Sequence, residues 1–101
     1  MCYNEIGDNM KKFNALNNEY ELVKNYKEVF NKDEFLNLVT DYFSEFDYIL
    51  GDYSYGKLRL KGFCDKGNNR FNEINDIKIL DNYIKEKCAY DCGYFLLKKG
   101  K

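Results

Sequence analysis

The sequence predicts an α+β fold, two helices on one face of a mostly antiparallel four-stranded sheet. Three observations carry this. Asn31–Glu45 places apolar residues at helical spacing, and Asp47–Asp65 reads as two strands folded back over a short turn. One alternating stretch precedes that helix and an apolar run follows a second one, so the order is strand, helix, strand, strand, helix, strand. The chain has 101 residues, the length of a single domain with a modest core.

Residues 1–18 are polar and Asn-rich without clear period, and are expected to form a loosely ordered lead-in to a domain spanning 19–101. Glu19–Tyr26 alternates, with Tyr20, Leu22, Lys24 and Tyr26 on one face of a strand. The first helix starts at Asn31, a capping residue, with Glu34 as its capping-box partner. Phe35, Leu38, Val39, Tyr42, Phe43 and Phe46 then form one apolar stripe, which reads as core.

The hairpin is expected to pair Asp47–Asp52 with Lys57–Cys64 over the connection Tyr53-Ser54-Tyr55-Gly56, Asp52 opposite Lys57. Ile49, Gly51, Leu58 and Leu60 then share a core face. Tyr48, Leu50, Asp52, Lys57, Arg59, Lys61 and Phe63 share the other. A one-residue slip in the turn would reverse one strand. Asp65–Asn69 is turn-rich, and Arg70–Glu73 reads as a brief extended piece. The second helix is expected over Asp76–Cys88 with Asn75 as its cap, and Gly93–Lys99 closes the sheet. With right-handed crossovers this order suggests a ferredoxin-like arrangement.

Composition narrows function mainly by exclusion. Sixteen basic and seventeen acidic residues nearly cancel, so nucleic-acid or lipid binding would need a local patch. No run is apolar enough for a membrane span or a secretory core, and the expected location is cytoplasmic. With no His, the usual triads and most catalytic zinc sites are unavailable, which argues against an enzyme. No phosphate loop or dinucleotide fingerprint is present, and no small-molecule cofactor is expected.

Three constellations could carry chemistry. The open sheet face would bring Tyr48, Arg59, Lys61 and Phe63 together, beside Asp52 and the turn residues Tyr53 and Tyr55. Rings beside cations suit single-stranded RNA, and Lys61-Gly62-Phe63 matches the start of an RNA-recognition strand motif, although Cys64-Asp65-Lys66 does not continue it. The plainer reading is a solvated face with an Asp52–Lys57 cross-strand pair.

Cys88 and Cys92 flank a helix–strand turn and could form a redox switch. With Cys64, a three-thiolate metal site completed by Asp65 or Asp91 is a weaker reading, because the spacing is not Cys-x-x-Cys. Small buried thiols are the plainer one. Asp52 with Tyr55 could do acid–base work, yet Asp beside a turn is ordinary turn chemistry.

Asp47-Tyr48-Ile49-Leu50-Gly51-Asp52-Tyr53, Tyr55 and Leu58-Arg59-Leu60-Lys61-Gly62-Phe63 resemble the YutD-like family of small, mostly Firmicute bacterial proteins. A second block, Cys88, Cys92, Tyr94, Phe95 and Leu96-Leu97-Lys98-Lys99, is similar too, so the resemblance covers about Tyr20 to Lys99. Tyr53 departs from it, since the family often has Trp there. The resemblance implies a cytoplasmic α+β domain and assigns no function. The expectation is therefore a small binding or adaptor module, its protein or RNA partner docking on the hairpin and open sheet face. The thiol sensor and the acid–base enzyme stand as alternatives.

Overall fold

The computed structural model describes residues 12–54, 56–87 and 93–100. Five strands make one sheet: β1 (Lys12–Ala15), β2 (Asn18–Tyr26), β3 (Tyr48–Ser54), β4 (Lys57–Phe63) and β5 (Tyr94–Lys99). Their spatial order is β1-β2-β5-β3-β4, and every neighbouring pair is antiparallel. Helices α1 (Lys32–Leu38) and α2 (Leu80–Lys87) are accompanied by 3-10 turns at Asp41–Glu45 and Ile77–Ile79.

The fold is α+β, but among the described residues it has five strands rather than four, and their order is not ferredoxin-like. The reason lies in β5. Phe95, Leu96 and Leu97 are all buried, so this strand is apolar on both faces and takes the central position. Consecutive residues of a strand point to opposite faces, so both faces need cover. Phe35 of α1 packs with Ile49, Phe95 and Leu97, while Leu80 of α2 packs with Leu50, Phe63 and Leu96. The helices thus lie on opposite faces, not on one.

Strand β1 falls inside the stretch expected to be a loose lead-in. Its two apolar residues, Phe13 and Ala15, are buried, and two residues are too few to show a period. Leu16 and Asn17 close its hairpin with φ of 54° and 63°, the backbone of a two-residue type I′ turn.

In β2 the register shifts between Leu22 and Lys24, a bulge that changes which face each later residue occupies. Tyr20 and Leu22 therefore face the α1 side, while Tyr26 turns to the other and stacks on Tyr94 at 5.2 Å.

The long helix expected over Asn31–Glu45 is broken in two. Asn31 does cap it, its Oδ1 accepting from the Glu34 amide at 3.0 Å. Val39 and Thr40 are extended, as suits two adjacent β-branched residues, and the chain resumes as a 3-10 turn. The break disperses the stripe: Phe35 and Phe46 are buried, but Leu38 and Tyr42 are exposed.

Ser54 pairs with Lys57 and Asp52 with Arg59, so the hairpin connection is two residues, not four. A shift of two keeps every side chain on the face expected for it. Arg70–Glu73 forms turns rather than an extended piece. Asp76 caps the second helical segment through the Lys78 amide at 3.0 Å. Asn75, the expected cap, is buried; it bonds the Asn72 amide and the Arg70 carbonyl and so holds the preceding loop.

Candidate functional site

The sheet face expected to be open is covered by α2. Phe63 has no exposed surface; its ring meets Tyr83 edge-on at 5.5 Å. It is a core residue and offers no stacking platform. Gly62 is explained by the opposite face, where a Cβ would lie 1.3 Å from Cδ2 of the Phe46 ring. The Lys61-Gly62-Phe63 run thus records packing on both sides of β4.

The remaining expected residues fall into separate contacts rather than one cluster. Asp52 is buried at 3% exposure, and its Oδ1 accepts from Arg59 Nε at 2.9 Å. The cross-strand partner is Arg59 rather than Lys57, because of the shorter turn. Tyr48 donates to Asp65 Oδ1 at 3.4 Å, and burial together with that carboxylate raises its phenol pKa.

Tyr53 belongs to β3 and shares the Gly51 and Leu58 face, donating to Glu34 Oε1 on α1. Burial and that carboxylate push its pKa up to about 12. Tyr55, Cys88 and Cys92 lie outside the described residues, and so do the helix end at Cys88, Asp91 and the Asp52–Tyr55 geometry. Cys64 is buried, and burial pushes its thiol up, away from the reactive thiolate. Among the described residues no group of three metal-ligating side chains occurs.

Lys61 is the residue with unfinished chemistry. Its ammonium sits 5.3 Å from the Phe63 ring centroid and 5.5 Å from that of Tyr83. Burial lowers its pKa, and among the described residues it has no carboxylate partner. Two cavities meet beside it. One of about 200 Å³ is walled by Tyr42, Phe46, Leu60, Gly62 and Ile74. The other, about 350 Å³, is lined by Ile74, Ile79 and Tyr83, with Glu73 and Glu86 as its acidic members.

Ile74 stands between the cavities at 71% exposure and Tyr42 flanks the first at 59%. Exposed apolar side chains beside a half-buried cation make a surface suited to another protein. Sequence reasoning missed both residues. Tyr42 fits the helical stripe, which reads as core. Ile74, the lone apolar residue in Asn72-Glu73-Ile74-Asn75, was a signal that could have been read.

Comparison with known proteins gives a consistent picture. A family model described as "Putative antitoxin YutD-like" matches residues 14–98. The "Putative antitoxin YutD" of Bacillus subtilis (strain 168) is 46% identical over 83 residues, 82% of this chain and 91% of that protein. The solution NMR structure of protein yutD from B. subtilis aligns with a TM-score of 0.73 and 42% identity, covering 89% of this chain and 82% of the other.

Proposed function

We propose that this chain, which belongs to the YutD-like family, is a non-enzymatic binding module that docks a protein partner in the groove between Tyr42 and Ile74, beside Lys61. The observation that carries this is Ile74, an aliphatic side chain 71% exposed between two cavities with a half-buried cation at their junction. The antitoxin description of the family and of its B. subtilis relative is in keeping with a docking role, the role of an antitoxin that works by binding a protein. A protein partner is favoured over RNA because Phe63 is enclosed by α2 and Arg59, an exposed cation of the same strand, is held by Asp52.

The test is capture from native lysate with and without nuclease, using the full chain and its Ile74→Asp variant. The reading expects a nuclease-insensitive partner that the variant fails to retain. A partner released by nuclease, or retained equally by Ile74→Asp, would refute it.

A further inference from the structure

From the edge of β4 we infer that the partner binds by adding a β-strand to the sheet, and that this strand alternates acidic and apolar side chains. The inference rests on the docking reading above and deepens it.

Among the described residues, strand β4 ends the sheet and pairs only with β3. Its last neighbour already shows which peptide groups point outward. The Cys64 amide donates to the Asn75 carbonyl at 2.8 Å, and the Cys64 carbonyl accepts from the Ile77 amide at 3.0 Å, a parallel bridge outside β4. A strand alternates with period two, so Gly62, Leu60 and Leu58 also direct their N–H and C=O outward. Gly62 is buried under Phe46, whereas Leu58 and Leu60 are only half-buried. The segment around Asn75–Ile77 thus caps one end of the edge. The part from Lys57 to Lys61 has no strand beside it among the described residues.

Side chains define what would fit there. On one face of an added strand, the neighbours would be Leu58 and Leu60, with the cavity between Tyr42 and Ile74 next to Leu60. Apolar side chains match that face. On the other face the neighbours are Lys57, Arg59 and Lys61, three basic residues in alternation. Of these Arg59 is held by Asp52, while Glu73 and Glu86 line the cavity beyond Lys61, so the call for acid is strongest near Lys57.

Opposite charges across a strand pair stabilise it and like charges oppose it. The same rule disfavours a second copy, because β4 against β4 would set basic residues against basic residues. Main-chain hydrogen bonds would supply affinity and the alternating side chains specificity.

The probe is a capped peptide of alternating Glu and Val, about seven residues long, with a Lys/Val peptide as control, titrated into the isotope-labelled full chain by NMR. The Glu/Val peptide should slow hydrogen exchange of the Leu58 and Leu60 amides at least about tenfold and shift the Ile74 signals; the Lys/Val peptide should do neither. Lys57→Glu, an exposed change, should weaken the peptide at least about fivefold. Leu60→Pro removes an outward donor and leaves the β3 ladder its bonds, and should abolish protection.

No binding, equal binding of both peptides, or binding with Leu58 and Leu60 exchanging freely would overturn the inference. Protection that grows with protein concentration alone would assign the edge to a second copy and also overturn it. With the captured partner the two readings separate. Loss in Ile74→Asp but retention in both Leu60→Pro and Lys57→Glu overturns strand addition while docking at the groove stands.

Discussion

Gly62→Ala tests why a glycine sits one residue before the end of β4. The added methyl would lie 1.3 Å from Cδ2 and 2.0 Å from Cε2 of Phe46, so the ring must retreat by about 2 Å to restore ordinary contact. Phe46 is 5% exposed and packs against Tyr42 and Phe43 at 5.1 and 6.3 Å between ring centroids. Forcing a methyl into a packed site costs roughly 1–3 kcal/mol, and evicting a Phe ring altogether costs roughly 3–5 kcal/mol. A loss of about 3 kcal/mol is expected, a fall in Tm of roughly 12–24 °C for a domain of this size.

Urea denaturation followed by circular dichroism reads the change. Gly67→Ala is the control, since a Cβ there meets nothing within 4 Å. Phe46→Ala makes room for the new methyl, so the double variant should lose at least about 1 kcal/mol less than the sum of the two single losses. Additive losses, or a Gly62→Ala loss below about 0.5 kcal/mol, would refute the packing account.

Three further predictions concern buried and half-buried polar groups. Arg59→Ala removes the Nε–H bond to the Asp52 carboxylate, which is 3% exposed, and should cost about 1–3 kcal/mol in denaturant unfolding; adding Asp52→Asn should recover part of that loss. The Tyr20 hydroxyl is buried without a hydrogen bond among the described residues. Tyr20→Phe should therefore be neutral or stabilising by up to about 1 kcal/mol in the same assay.

Tyr53 titrates at about 12 in the fold because burial and then Glu34 disfavour the phenolate. A pKa raised by folding adds stability that is present below the unfolded value near 10 and is lost as pH rises from there through about 12. Glu34→Gln should lower that pKa in an ultraviolet titration but leave it above the ordinary value, since burial is the larger cause.

How far the sequence could be read depended on whether local pattern or tertiary burial decided each element. The Asn31 cap and β3–β4 were legible because capping chemistry and alternation are local. Even with the hairpin register displaced by two residues, Ile49 and Leu50 kept their faces. Two adjacent apolar residues, Leu96 and Leu97, signalled a strand covered on both sides, and that signal contradicts helices on a single face.

Other features had no local signature. The bulge after Leu22 follows from the pairing with β5, and β1 offers only Phe13 and Ala15 as apolar residues. The site was misplaced for a related reason: aromatic and basic residues on β4 looked available only while α2 was assigned to the other face. Covering that face buries Phe63, gives Lys61 its two rings, and shifts the exposed apolar surface to Tyr42 and Ile74.

The central claim is that a protein partner docks on the groove at Ile74. Its most direct test is the affinity of the captured partner for the native chain and for Ile74→Asp, measured by calorimetric titration after circular dichroism has shown both to be folded. The account predicts at least roughly tenfold weaker binding by Ile74→Asp, about 1.4 kcal/mol or more, as for an anchor residue turned polar. Equal affinity of the two chains would contradict it.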